Sequence, residues 1–309
     1  MRQSEGLKVA VTGAAGFIGR AVVKRIELGA LGPISELRLN DIQAFEHAGA
    51  VVVQGTYAEP SVRDQLVGGG VDILFHLASL PGGASERDPV QGKSVNLDGS
   101  IALIDAVSAA GLPVVVYTSS SAALGRADQP VNENTALRPQ GSYGTHKAMI
   151  EFYLADLTRR GVIDGRSVRP AGIVARPRDA YAGFATAWMS DLFHAAREKR
   201  EIVIPARADA TVWLQSVDAV ADNIIHAALM PAVGLPPQRS WTLPATVVRL
   251  ASLVEALNHR TDHTLKVSYT EGPTDQPPLD ASAALAVGFV SDGDAVALVD
   301  TVMAQIERE

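Results

Sequence analysis

The chain has 309 residues, of which 47% are hydrophobic and 20% charged, and its formal net charge is −7. That composition excludes a mainly disordered chain, and the length suits about two domains with sizeable cores. An acidic balance without a basic stripe argues against a nucleic-acid partner. The lack of cysteine excludes disulfides, thiolate metal sites and cysteine nucleophiles, and fits a cytoplasmic location. No membrane association is expected: the start is polar, and apolar runs such as the one at Val114 are too short to span a bilayer.

Strands and helical patterns alternate through the first half. Lys8–Thr12 reads as a short buried strand, Gly13–Gly19 as a glycine-rich turn, and Phe17 to Leu28 as a helix. Leu37–Leu39, Ala50–Val53 and Asp72–Leu77 are further strands. Val95–Ala110 reads as one helix, Val114–Thr118 as a strand, Ser142–Arg160 as a long helix and Arg166–Arg169 as a sixth strand. Such alternation implies βαβ units around a parallel sheet with right-handed crossovers. The second half is less regular: helices are expected near Phe184–Lys199, over Ser216–Leu229, from Val247 to Asn258 behind a Thr246 cap, and over Ala295–Arg308. The expected architecture is α/β: a Rossmann-type doubly wound parallel sheet over residues 1–174, with 213–240 returning to it. A smaller C-terminal substrate-binding lobe, mainly 175–309, completes it.

Residues 13 to 19 read Gly-Ala-Ala-Gly-Phe-Ile-Gly, between a strand and a helix. Gly13 permits the tight turn, Gly16 lets the backbone approach a pyrophosphate, and Gly19 lets the helix pack closely on the sheet. The helix N-terminus offers unpaired N–H groups to the phosphates. Asp41 ends the second strand. A carboxylate there accepts from an adenosine ribose diol and repels a 2′-phosphate, which favours NAD over NADP. An ordinary turn aspartate is the plainer reading, and Arg20 and Arg38 are nearby cations that weaken the preference.

Tyr143 and Lys147 are four residues apart, so on a helix they share a face. A free tyrosine ionises at a pH of about 10. A neighbouring ammonium favours the phenolate and brings the group nearer to the range where a general base works. In isolation such a pair is usually a solvated helix face. After a glycine loop and five strands it points to catalysis. Thr118-Ser119-Ser120-Ser121 ends the fifth strand, where ligands of parallel sheets bind, and a hydroxyl there can hold a reacting alcohol. For any single serine, turn chemistry or capping is the plainer reading.

The segments VTGAAGFIG, FHLAS, VNLDGS, VVVYTSSSAALG, SYGTHK and RPAGIVARP, over residues 8–177, resemble an extended short-chain dehydrogenase/reductase of the NAD-dependent epimerase/dehydratase type. The resemblance implies NAD as cofactor, held along Gly13, Gly16, Phe17, Ile18, Gly19, Asp41, Leu77, Ala78, Tyr143, Lys147 and Pro170. It implies a catalytic set of Ser120, Tyr143 and Lys147, with Ser119 and Ser121 as alternatives to Ser120. A narrower match, SYGTHKAMIEFYLADLTRRGVIDGRSVRP with VNLDGS and WLQSVDAVADNIIHAA, is similar to the D-erythronate dehydrogenases. It implies NAD-dependent oxidation of a hydroxyl, above all the 2-hydroxyl, of a small sugar acid. A basic residue is expected two places before Trp213, and Thr211 stands there instead. Arg176, Arg178 and Arg207 are therefore candidates for the substrate carboxylate, because a bidentate guanidinium suits that group.

Ser79, Ser120, Ser121, Tyr143, Arg176, Arg207 and Trp213 are the expected substrate contacts. For Trp213, Trp188 and Phe184 core packing is the plainer role. A nucleotide-sugar epimerase or dehydratase, a uronate dehydrogenase and a non-catalytic dinucleotide sensor are the rival readings. His76 is expected to be a packed, hydrogen-bonded histidine. No metal is expected: His259 and His263 have only Asp262 close by. The partner is expected to be a small carboxylate, and the chain a homodimer through helices matching Val95–Ala110 and Ser142–Arg160, with Ala148, Ile150, Phe152 and Tyr153 at the contact.

Overall fold

A computed structural model of the chain describes residues 6–127, 129–177, 186–272 and 274–308. These divide into two compact units. The first holds the residues up to Gly125, Leu137–Arg169 and Ala221–Trp241; the second holds Arg126–Ala136, Pro170–Val220 and the residues from Thr242 onward.

The first unit runs β1 (Leu7–Thr12), α1 (Phe17–Glu27), β2 (Ile34–Asp41), β3 (Val51–Gln54), α2 (Pro60–Val67), β4 (Ile73–His76), α3 (Gly82–Arg87), α4 (Pro89–Lys93), α5 (Ser100–Ser108), β5 (Val114–Thr118), α6 (Ser142–Arg159) and β6 (Asp164–Arg169). With β10 (Ser240–Thr242) the strands form one sheet in the order β10-β6-β5-β4-β1-β2-β3. The five pairings from β6 through to β3 are all parallel. The Rossmann-type α/β reading is therefore correct. The middle strands are short and apolar because helices cover both faces: all four residues of β4 are buried, as are the last four of β1 and of β5. Leu74, Leu103, Ile104, Ile150 and Leu154 are fully buried in one core with Tyr117.

The expected helix from Val95 to Ala110 is two segments. Ser94–Gly99 is a wider, π-helical turn, and α5 starts only at Ser100. Within that turn the Asn96 side chain accepts from Leu80 N–H at 2.7 Å and donates to the Leu80 carbonyl at 2.9 Å. It thus pins the loop that leaves β4. Of the α6 residues expected at a subunit contact, Ala148 and Ile150 are buried inside the unit. Tyr153 turns its hydroxyl to Asp105, and Phe152 is exposed.

The second unit contains β7 (Gly172–Ile173), α7 (Ala187–Glu198), β8 (Ile202–Ile204), β9 (Thr211–Gln215), β11 (Thr246–Arg249), α9 (Leu250–Thr261), β12 (Val267–Tyr269), α10 (Ser282–Ala286) and α11 (Ala295–Ile306); the chain crosses between units within α8 (Val217–Leu229). Small sheets β11-β9-β7 and β12-β8 accompany a core that includes Leu192, Phe193, Leu253, Leu257, Leu298 and Val302. Thr246 does not cap a helix. It opens β11, antiparallel to β9, with Thr246 opposite Leu214. The run Thr-Val-Val-Arg alternates buried and exposed, the two-residue period of a half-buried strand, and the Thr246 hydroxyl donates to the Gly293 carbonyl at 3.0 Å. α9 ends at Thr261, and Asp262 is left-handed at φ 48°, so His263 does not continue the helix face of His259. Among the described residues no three histidine or acidic side chains cluster as metal ligands, and no described helix is long and apolar enough to cross a membrane.

Phe75 sits in β4 between β1 and β5 with no exposed surface. Phe75→Ala is expected to lower the unfolding free energy by about 3–5 kcal/mol. Urea denaturation checks this, with the midpoint falling and the slope unchanged.

Candidate active site

The chain leaves β1 through the glycine turn. Gly13 has φ 72°, and a Cβ there would lie 2.9 Å from the Ala78 nitrogen. Gly19 lies in the first turn of α1, where a Cβ would come within 1.9 Å of the Gly13 carbonyl oxygen. The turn and the helix can approach this closely only without those side chains. Gly16 occupies the N-cap of α1 with no capping side-chain hydrogen bond, and the first turn carries no acidic residue. The leading N–H groups, including those of Phe17 and Ile18, are therefore offered to an anion.

Asp41 closes the turn from the side. Its carboxylate accepts from Ala15 N–H and from Gln43 N–H, each at 3.0 Å. Arg38, one of the two cations weighed against NAD, is buried and committed to Glu36 at 2.8 Å and to the Leu66 carbonyl at 3.1 Å. The guanidinium of Arg20 is held by the Ala15 carbonyl. An uncapped helix start behind a turn of glycines and alanines, with a carboxylate at the end of β2, suits a dinucleotide. The pyrophosphate fits the former and a ribose diol the latter.

Thr12 ties β1 to β4. Its oxygen accepts from Leu77 N–H and Ala78 N–H, both at 3.2 Å, and lies 2.8 Å from His76 Nδ1. Two accepted bonds use its lone pairs, so the hydroxyl proton points at Nδ1. His76 then carries its own proton on Nε2 and donates to Ser100 Oγ at 2.9 Å. His76 is fully buried, and that burial first, then the nearby Lys147 charge, pushes its pKa down to about 3. It is a neutral strut that fixes the backbone of Leu77 and Ala78, and the half-buried Ser79 follows.

Beyond β5, Ser119 and Ser120 separate sharply. Ser119 is buried and its hydroxyl donates to Glu151. Ser120 is half-buried, and its oxygen accepts from Ala122 N–H at 3.1 Å, which leaves the hydroxyl proton to donate. Ser121 opens the short 3₁₀ turn that follows.

The N-terminus of α6 is held by Glu86 of α3, which accepts from Ser142 N–H at 2.6 Å. The half-buried Tyr143 comes next, its ring across Gly82 of α3. One turn on, Lys147 is only 1% exposed. Its ammonium donates to the Thr118 carbonyl at 2.7 Å and lies 4.7 Å from the Tyr117 ring centroid and 5.5 Å from that of Tyr143. Burial pushes its pKa down to about 7, while Glu151 works in the opposite direction.

The glycine turn, Asp41, Leu77–Ser79, Ser120, Ser121, Tyr143 and Lys147 thus all belong to the first unit. Pro170, Arg176, Arg207 and Trp213 belong to the second. Pro170 is buried directly after β6. Arg176 donates to the Ile173 carbonyl at 3.3 Å, and its own carbonyl accepts from His194. Arg207 shares its guanidinium with Asp209 at 2.9 Å and Asp275 at 3.5 Å. Trp213 is buried in β9, where its indole N–H donates to the Pro277 carbonyl at 2.8 Å. Arg178 and Phe184 lie outside the described residues. Thr12, Asn96, Glu86 and Glu151 were not singled out from the sequence. For Glu151 a signal existed: it stands four residues after Lys147, on the same helix face.

The fold and this edge of the sheet define a Rossmann-type dinucleotide-binding protein. The chain belongs to the NAD dependent epimerase/dehydratase family, whose model matches residues 9–240. It is 34% identical to D-erythronate dehydrogenase of Cupriavidus necator over 263 residues, 81% of each chain. It is 28% identical to D-erythronate dehydrogenase of Haemophilus influenzae over 312 residues, 93% of this chain and 96% of that one. A crystal structure described as a nucleoside-diphosphate-sugar epimerase from Agrobacterium tumefaciens superposes with a TM-score of 0.89 at 28% identity, covering 98% of this chain and 94% of the other. The protein is an NAD-dependent dehydrogenase of this family.

Gly19→Ala is expected to weaken NAD binding by more than about tenfold, or over about 1.4 kcal/mol, as read by isothermal titration calorimetry. His76 is neutral when folded down to about pH 3, whereas an unfolded histidine takes up its proton below about 6.5. The unfolded chain therefore binds more protons between these values, and stability falls as pH drops through that window by about 1.4 kcal/mol per pH unit. Urea midpoints measured from pH 7 to 4 should show this fall, and His76→Gln should flatten it.

Proposed function

We propose that the protein oxidises a hydroxyl beside the carboxylate of a small sugar acid, with the 2-hydroxyl of D-erythronate as the best-supported target. The observation that carries the reading is the buried Lys147 ammonium, held by the Thr118 carbonyl within 5.5 Å of the Tyr143 ring. The likeness to the two D-erythronate dehydrogenases over most of the chain supports the substrate class.

In this reading Ser120 donates its hydroxyl proton to the substrate oxygen and orients the alcohol. Tyr143 removes the alcohol proton through its phenolic oxygen, and the Lys147 ammonium stabilises the negative charge that the phenol carries as a base. Bound NAD would supply the acceptor for the hydride that leaves the same carbon. The glycine turn, the start of α1 and Asp41 hold the dinucleotide, with Leu77, Ala78 and Pro170 along it. Ser79, Ser121 and Trp213 are proposed to border the substrate. Its carboxylate calls for a guanidinium, from Arg176 or from Arg207, which already serves two aspartates.

The test is a panel of four- to six-carbon aldonic and uronic acids with NAD, read by absorbance of the reduced cofactor. D-Erythronate is expected to give the highest kcat/KM. Tyr143→Phe is expected to lower kcat by about 10²–10⁴-fold with the affinity for NAD nearly unchanged. Conversion of a nucleotide sugar without net NADH, or near-normal turnover by Tyr143→Phe, would overturn the reading.

A further inference from the structure

Tyr143, Lys147 and Glu151 follow one another at four-residue spacing along α6 and share one helix face. Glu151 is 3% exposed. Its carboxylate receives Arg169 Nε at 2.9 and 3.1 Å, a second bond from Arg169 Nη2, and the Ser119 hydroxyl. Arg169 ends β6 and Ser119 follows β5, so the carboxylate is fixed from two strands. Ser119 directly follows Thr118, whose carbonyl holds Lys147 Nζ at 2.7 Å. A buried ion pair of this kind contributes little net stability compared with apolar residues of similar volume. Stability alone therefore does not account for it.

The surroundings of the ammonium show what the pair does. From β5 it meets the Tyr117 ring and the Thr118 carbonyl. His76 of β4 faces it electrostatically but is neutral at working pH, and burial keeps the Tyr117 phenol un-ionised. From α6 it faces the Tyr143 ring at 5.5 Å, and Glu151, four residues on, acts on it electrostatically. Glu151 supplies negative charge, and Arg169 of β6 supplies positive charge behind it. Burial alone drives Lys147 toward the neutral amine, and Glu151 opposes that drive.

We propose that Glu151, clamped by Arg169 and Ser119, is a positioning residue that holds Lys147 in its charged form beneath Tyr143. It touches neither substrate nor cofactor and acts through the lysine. Its importance for turnover rests on the catalytic roles proposed above for Tyr143 and Lys147, but its effect on the lysine charge does not. Arg169 sets the strength of the effect: it fixes the carboxylate in place while partly cancelling its field.

The experiment is an NMR titration of the full chain carrying lysine labelled with ¹³C at Cε. The six lysines are Lys8, Lys24, Lys93, Lys147, Lys199 and Lys266, and Lys147→Arg identifies the Lys147 signal by its loss. In Glu151→Gln the midpoint of Lys147 is expected to fall by about one pH unit, because the anion is gone while the Arg169 cation stays. In Glu151→Gln/Arg169→Gln, which removes both charges, the midpoint is expected to recover at least half of that fall. Unfolding would move the signal upward, toward the exposed lysines, so a downward shift cannot be mistaken for misfolding. A purely structural role would leave the double variant no closer to the parent than the single one. A midpoint in Glu151→Gln that is unmoved or raised, or a double variant that titrates with the single one, would overturn the proposal. Failure of every sugar acid as a substrate would overturn the proposed function and leave this titration readable.

Discussion

A lysine shut away from water is the constraint around which the first unit is organised. Lys147 is almost wholly buried, and desolvation opposes its charge strongly enough to bring its pKa to about 7. The charge is supported by a carbonyl at hydrogen-bond distance, by the face of Tyr117 and by the clamped carboxylate of Glu151. Each supporting group comes from the end of a strand or from the helix that packs on it. β5 supplies the Thr118 carbonyl and the Tyr117 ring directly, and β6 acts on the lysine through the Arg169–Glu151 pair. A buried cation of this kind costs stability, and such costs are tolerated where a site needs them.

The carboxyl ends of the strands do the rest of the positioning. β1 ends at Thr12, whose single hydroxyl fixes the backbone after β4 and the tautomer of His76. β2 ends at Asp41, which holds the glycine turn from the side. β5 ends at Thr118 and divides two neighbouring serines. Ser119 faces inward to Glu151, and Ser120 keeps a hydroxyl able to donate. Parallel strands place all of these groups on one edge, which is why ligands of such sheets bind there.

Much of this was legible because it depends on local pattern. Strand, glycine turn and helix occur in sequence at Lys8–Leu28, and the four-residue spacing of Tyr143 and Lys147 fixes a shared face whatever the tertiary structure. His76 read correctly as a packed histidine. The features that escaped depend on contacts distant in the chain. Asn96 is polar in a helical pattern, and only its bonds to Leu80 reveal the widened turn. Thr246 carries the residue type of a helix cap, yet pairing with β9, some thirty residues away, makes it a strand. Ala148 and Ile150 are apolar on α6, and periodicity cannot tell a helix face buried in the unit from one available to a partner. Ser119 and Ser120 are indistinguishable by composition, and the difference between them is the carboxylate of Glu151.

The central claim is that the Lys147 charge acts on the Tyr143 phenol. Burial raises the pKa values of Tyr57, Tyr117 and Tyr269, and pushes that of Tyr153 up to about 12, so these phenols ionise late. The most direct measurement is a titration of tyrosinate absorbance in the parent protein, Lys147→Met and Tyr143→Phe. The account predicts an early step in the parent that moves to higher pH in Lys147→Met and is lost in Tyr143→Phe. Superimposable curves for the parent and Lys147→Met, or an early absorbance change as large in Tyr143→Phe as in the parent, would contradict it.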